Sequence, residues 1–484
     1  MKRLNIILFL LALAVLTVEA KDLKVADIFG DNMVLQQKTV TPIWGWADAG
    51  TTVTVTSSWN DKSYSTKAGR DGTWRIMLHT PEAGGPYALT ITGDNTLIFS
   101  DIYVGEVWLA SGQSNMAMQL KECYESTKAI LTSQKSNIRF INVPPLGSYK
   151  PLTDIKADWV VAAPENVGDC SAVAWYFAHF IQENLGVPVG IINASFGGSV
   201  VETWMSRETC QTLGDISVPE VSDGTTGWEA NIPTTMYNGM LNPIVGYGIQ
   251  GCIWYQGESN VYNVSQYSDR LVVMVAEWRR KWGRNFPFYF TQIAPFDYTT
   301  WNVPSEVGEH VGAYLRDEQR RSMDRIENSG MAVILDVGEV EQIHPVRKEK
   351  VGERLGLMAL AEVYGTKGFE YKSPTFERME VDGDKAVIFF KDLYYGLTSY
   401  GKPLHLFEIA DESKVFHPAE AYVDEERDVV IVSSKYVRNP KAVRYAFKNY
   451  VEPELFSLSG LPVSSFRTDN WYCLLYTSPS PRDC

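Results

Sequence analysis

The 484-residue chain carries 44 Lys and Arg against 58 Asp and Glu, a net charge of −14, and 12% of its residues are aromatic. An acidic balance without basic clusters argues against nucleic acid and anionic membranes as partners. The length accommodates about three domains of 100 to 200 residues each.

The first residues, Met1-Lys2-Arg3, are followed by an apolar run over 4–16 and by Val18-Glu19-Ala20. This is the pattern of a cleavable secretory signal over 1–20, which predicts a secreted or periplasmic protein. The run is shorter than the roughly 20 residues a membrane span needs, and no later stretch is long enough, so no span is expected in the mature chain. At the other end, residues 473–484 read like translated sequencing-adapter DNA and are set aside; a Ser/Pro-rich tail is the alternative and is no more informative. Cys123, Cys170, Cys210 and Cys252 match no zinc or CxxC spacing, so no metal site is expected. In an exported protein Cys123, Cys170 or Cys210 could pair, whereas Cys252 lies in an apolar run and reads as a buried thiol.

From residue 24 to about 104 short alternating segments such as Thr52-Val53-Thr54-Val55-Thr56 are separated by Gly, Asp and Asn turns, which predicts a small β-sandwich over 21–104. The rhythm then changes to apolar strand, loop and amphipathic helix over 105–370, an α/β unit with a largely parallel sheet. Strands are expected at 106–110, 138–143, 189–194, 249–255, 288–293 and 331–336, and helices at 171–185, 265–282 and 347–364. Ser171 is a suitable N-cap, and Val173, Tyr176, Phe177, Phe180 and Ile181 form an apolar stripe behind it. Alternation returns from about 372, as in Ala386-Val387-Ile388-Phe389-Phe390, which predicts a C-terminal β domain over 371–472.

Open α/β sheets bind ligands beyond the carboxyl ends of their strands, so the loops after the expected strands are where chemistry is sought. Ser111-Gly112-Gln113-Ser114-Asn115-Met116 places a Ser on a sharp strand-to-helix turn, with an exposed Oγ and an N–H available to an oxyanion, although such residues also make ordinary turns. Ser195-Phe196-Gly197-Gly198-Ser199, with Glu202 and Trp204 beyond it, offers paired glycines whose backbone can approach a substrate oxygen, or simply a tight turn. Trp254-Tyr255-Gln256-Gly257-Glu258-Ser259-Asn260 brings a side-chain amide to a strand end, where Gln256 could donate to an oxyanion or satisfy its own backbone. Glu341-Gln342-Ile343-His344-Pro345 holds a His in an extended loop, which suits a general base but also a structural imidazole.

Taken together, in the order Ser, Gly, Gln, His, these four blocks resemble the motifs of the sialate O-acetylesterase family within the SGNH-hydrolase superfamily. The resemblance covers residues 105–364. It implies an SGNH-hydrolase-like three-layer α/β domain with a parallel sheet, flanked by N- and C-terminal all-β domains. It further implies an exported carbohydrate O-acetylesterase that hydrolyses acetyl esters on sugars through an acetyl-serine intermediate and needs no cofactor. Ser114 would be the nucleophile and His344 the base, with the Ser114 N–H, the Gly197-Gly198 backbone and Gln256 forming the oxyanion hole; which glycine donates stays open. The family usually carries an Asp shortly before the His. Here Glu341 keeps a carboxylate at the Asp-x-x-His spacing and could complete a triad, or His344 works in a dyad.

Acetylxylan and other acetylated glycans are equally compatible substrates. A two-carboxylate glycosidase using Glu202 and Glu258 would leave Ser114, the glycines and His344 unexplained, and these two acids read better as braces for the loops. A non-catalytic glycan-binding protein is supported only by the missing Asp.

Overall fold

The computed structural model describes residues 22–301, 303 and 308–471. The expected signal sequence and the adapter-like tail lie outside them.

The architecture is mixed α/β, with a central sheet and additional all-β sheets at both ends of the chain. The central sheet runs in the order Val160–Val161, Ile138–Asn142, Val189–Ser195, Thr96–Gly112, Gly251–Tyr255, Phe288–Thr291, Ser329–Ala332. All neighbours from Ile138–Asn142 to Ser329–Ala332 are parallel, while Val160–Val161 is antiparallel at the edge, so the sheet is mixed.

Strand alternation explains how the sheet is covered. Trp108, Ala110, Ile253, Tyr255 and Tyr289 belong to one core with Val173, Trp175 and Phe177 of the Ala172–Leu185 helix and Val351, Leu355 and Met358 of the Lys348–Glu362 helix. Their chain neighbours Val107, Leu109, Cys252, Trp254, Phe288 and Phe290 face the other way, into a core shared with Leu271, Met274 and Trp278 of the Tyr267–Trp282 helix and with the N-terminal strands. Continuous apolar runs are what a parallel strand buried on both faces requires. Ser171 caps its helix as expected, its Oγ accepting from Ala174 N at 3.2 Å. The Ala172–Leu185 and Lys348–Glu362 helices meet closely through Gly352 and Gly356. A Cβ at Gly352 would lie 2.6 Å from the Tyr176 Cβ, and one at Gly356 2.6 Å from Phe180 Cδ1.

The Thr96–Gly112 strand is longer than the sequence suggested and runs straight through position 104. Its first half pairs antiparallel with Gly84–Thr92 in the N-terminal sheet, and its second half is the middle strand of the central sheet. Alternating burial over the first half gives way to continuous burial after Val104. That change marks a new environment, not a chain break.

A helix not expected from the sequence, Val311–Met323, lies between the Tyr267–Trp282 helix and the C-terminal sheets, and buries Arg316, Asp317 and Gln319 completely. Among the described residues all four cysteines, Cys123, Cys170, Cys210 and Cys252, are free and buried, so the pairing considered for the first three is not formed.

Candidate active site

Sheet register assembles the site. Ser195 and Tyr255 both lie opposite Gly112, so three loops leave the sheet at one level, at the point where strand order reverses on either side of the Thr96–Gly112 strand. Gly112 is required there: its φ is +136°, and a Cβ would lie 2.1 Å from the Tyr255 carbonyl oxygen. The Gln113 N–H donates to that same oxygen at 3.0 Å, and Phe196 N–H donates to Gly112 O at 3.0 Å. Ser114 then opens a single helical turn, Ser114–Ala117.

The His344 loop arrives from the far end of the sheet. His344 Nε2 and Ser114 Oγ are 2.8 Å apart. For Nε2 to accept the serine proton, Nδ1 must carry the ring hydrogen. Burial, and after it the positive charge of Lys348, hold His344 below its ordinary value, while Glu122 acts in the opposite direction. A neutral imidazole at neutral pH is the form a general base needs.

The glycine loop lies directly over the serine, since a Cβ at Gly197 would be 3.7 Å from Ser114 Cβ. Gly197 and Gly198 are exposed. The backbone N–H groups of Ser114, Gly197 and Gly198 have no hydrogen-bond partner among the described residues. Amides left unpaired next to a serine Oγ are the donors an oxyanion uses.

Two expected site residues are placed otherwise. Gln256 is fully buried, and its Nε2 donates to Ser199 O at 3.1 Å and Asn260 Oδ1 at 2.7 Å, while its Oε1 accepts from Tyr267 Oη at 3.1 Å. Both amide hydrogens are committed, so Gln256 braces the glycine loop and is not an oxyanion donor in this arrangement. Glu341 is exposed and makes no hydrogen bond or ion pair among the described residues, which leaves Ser114 and His344 as a candidate dyad. The Glu341 position satisfies a sequence spacing, but an open loop has no fixed period to turn that spacing into contact.

Apart from Glu258, expected as a brace, the residues that hold the two together are ones to which the sequence assigned no role. Asn115 spends the two hydrogens of one side-chain amide on Glu258 Oε1 at 2.6 Å and on Ile343 O at 3.0 Å, tying the serine loop to the Gln256 loop and the His344 loop. Its Oδ1 accepts from Lys348 Nζ at 2.5 Å. Lys348 is fully buried, with its ammonium 5.0 Å from the centre of the Tyr255 ring, and burial pushes its pKa down to about 8 against the opposing pull of Glu258. Burial raises Glu258 above the usual carboxylate range. Gln113 Oε1 accepts from Gly257 N and Ser259 N at 3.1 and 3.3 Å, and Glu339 Oε1 accepts from Val346 N at 3.1 Å. Lys348 could have been noticed: it occupies the first turn of its helix, where the helix dipole disfavours a cation.

Glu202 and Glu258 are braces, as expected. Glu202 accepts from Asn260 Nδ2 at 3.0 Å and lies 3.5 Å from Arg270 Nε, so neither acid is available to a sugar. A cavity of about 1150 Å³ between the Ser126–Thr132 and Ala172–Leu185 helices is lined by none of the four loops.

Residues 104–314 match the family model for carbohydrate esterases described as sialic acid-specific acetylesterase. The chain is 29% identical to the human sialate O-acetylesterase over 409 residues, 75% of each protein, and 30% identical to that of Pongo abelii over the same share. A crystal structure of a carbohydrate acetylesterase from Xanthomonas citri superposes with a TM-score of 0.84 at 34% identity, covering 93% of this chain and all of that one. The chain therefore belongs to the sialic acid-specific acetylesterase family of carbohydrate esterases, and is a carboxylic-ester hydrolase.

Proposed function

We propose that this protein removes acetyl groups from sugar hydroxyls, O-acetylated sialic acids first among them, through an acetyl-Ser114 intermediate. The observation that carries the reading is the 2.8 Å contact between Ser114 Oγ and His344 Nε2 beside the unpaired amides of Ser114, Gly197 and Gly198. Ser114 Oγ attacks the acetyl carbonyl while His344 Nε2 takes its proton, and the oxyanion is received by the Ser114 N–H and the Gly197-Gly198 backbone. His344 returns the proton to the departing sugar oxygen. Water then enters, deprotonated by the same imidazole, and releases acetate.

The same reading makes the covered central sheet an SGNH-type three-layer unit over 105–370, with β units over 21–104 and 371–472, in a protein exported by residues 1–20. Acetylated xylan is the second substrate class, because the dyad reads only the ester.

Acetate release from 9-O-acetylated sialic acid and from acetylated xylan, measured for wild type and Ser114→Ala, tests the proposal. Ser114→Ala is expected to lose about 10⁴-fold or more in kcat, on the scale of nucleophile deletions in other serine hydrolases. Equal rates for the two proteins would remove Ser114 from the mechanism. A wild type that cleaves xylan esters alone would replace the sialate substrate.

A further inference from the structure

We propose that Trp228 is the stacking platform of a sugar subsite beside the nucleophile, receiving the apolar face of the pyranose ring that bears the scissile acetyl group or adjoins it. This rests on the glycan-esterase reading above and extends it to the residue that recognises the sugar.

Trp228 is the one exposed tryptophan of the fourteen, 87% accessible in a protein that buries or half-buries the other thirteen. A single exposed apolar side chain is ordinary on a protein surface, and Trp228 is set apart by how it is held and where it stands. The ring is displayed, not merely left over. It occupies the tip of a turn closed by Glu229 N donating to Thr226 O at 3.1 Å, with Gly227 at φ +58° supplying the left-handed position. The turn is anchored from behind, where Thr226 N donates to Gly147 O at 3.0 Å and Tyr149 N donates to Gly224 O at 3.3 Å.

Its position is set relative to the reacting serine. The Trp228 ring centre is 6.4 Å from that of Phe196, the residue immediately before Gly197. Ala230, two residues on, places its Cβ 3.5 Å from where a Gly198 Cβ would be, and Gly197 itself covers Ser114. The indole therefore stands beside the glycine loop whose amides face the ester. Phe196 is buried and props the indole without competing for ligand. A flat, rigid aromatic face suits the C–H-rich face of a pyranose, whose hydroxyls stay in water at the rim.

The test compares wild type, Trp228→Ala and Trp228→Phe on an O-acetylated glycan and on 4-nitrophenyl acetate, which has an acetyl ester but no sugar. The platform predicts that Trp228→Ala lowers the ratio of kcat/KM for the glycan to that for 4-nitrophenyl acetate by about tenfold, the loss appearing mainly in KM, with Trp228→Phe recovering part of it. Equal losses on both substrates would show a structural role and overturn the proposal, as would an unchanged ratio. In both of those cases the glycan-esterase reading stands, because wild type still cleaves the glycan. A wild type that cleaves 4-nitrophenyl acetate and no acetylated sugar would overturn the platform and the glycan reading together.

Discussion

Two buried networks of charged side chains flank the central sheet, and they do different work. Under the dyad, one cation and one carboxylate, Lys348 and Glu258, are joined through the amide of Asn115. Under the C-terminal β sheets, Asp317 of the Val311–Met323 helix holds Arg320 at 2.8 Å, Arg321 at 2.8 Å and Arg467 at 2.9 Å, while Arg316 reaches the Asn449 carbonyl at 3.2 Å and Ser465 Oγ at 3.1 Å. Burial alone would raise the Asp317 carboxyl, but its arginines hold it below the usual carboxylate range. The first network is sparse and leaves its lysine near a pKa of 8, close enough to His344 to tune it. The second surrounds a carboxylate with cations, and it fastens a helix to a neighbouring sheet. Burying ions does not in itself identify function; how completely the ions are satisfied, and what they face, does.

Breaking each network separates the two roles. Asp317→Asn leaves buried arginines without their anion and is expected to cost about 3 to 5 kcal/mol in denaturant unfolding, with kcat of the still-folded fraction little changed. Its contribution in wild type is present above the unfolded carboxyl pKa and is lost as pH falls through the lower folded value, so the wild type should lose stability in acid more steeply than the variant.

Lys348→Met should act on the chemistry. The lysine's charge disfavours a protonated His344, so its removal raises the His344 pKa, and the acid limb of the kcat/KM profile moves to higher pH. A limb that stays in place, with only stability lost, would reduce Lys348 to the same class as Asp317. Glu122→Gln sharpens the point with the opposite sign. Glu122 favours the charged imidazole, and its exposed side chain gives a weaker effect, so the limb should move modestly to lower pH. Glu341→Ala should change kcat less than about twofold, because its exposed carboxylate makes no hydrogen bond or ion pair among the described residues. A hundredfold loss would restore the triad.

Much of the site was legible because its blocks sit at strand ends, and apolar strands are readable from composition. Ser114, Gly197 and His344 come together as their positions in the strand, loop and helix rhythm require. The alternatives left open at Gln256 and Glu341 share one cause: a polar side chain at a loop can turn inward or outward, and only packing decides which. The Val311–Met323 helix escaped notice because Arg316, Asp317, Gln319 and Arg320 read as a solvated surface, whereas in the interior partners more than a hundred residues away accept hydrogen bonds from Arg316 and pair Asp317 with Arg467. Lys348 escaped for the same reason, on a helix whose basic residues suggested water.

The residues by themselves determined the strand ends, the order of the four blocks and the candidates for nucleophile and base, since these depend on local periodicity and on chemistry only certain side chains can perform. Tertiary structure alone decided which carboxylates are hydrogen-bonded and which are exposed, which amide is already spent and that one tryptophan is exposed beside Phe196. Those outcomes depend on which distant groups compete for each hydrogen bond and each patch of buried surface, and that competition is settled only when the chain is folded.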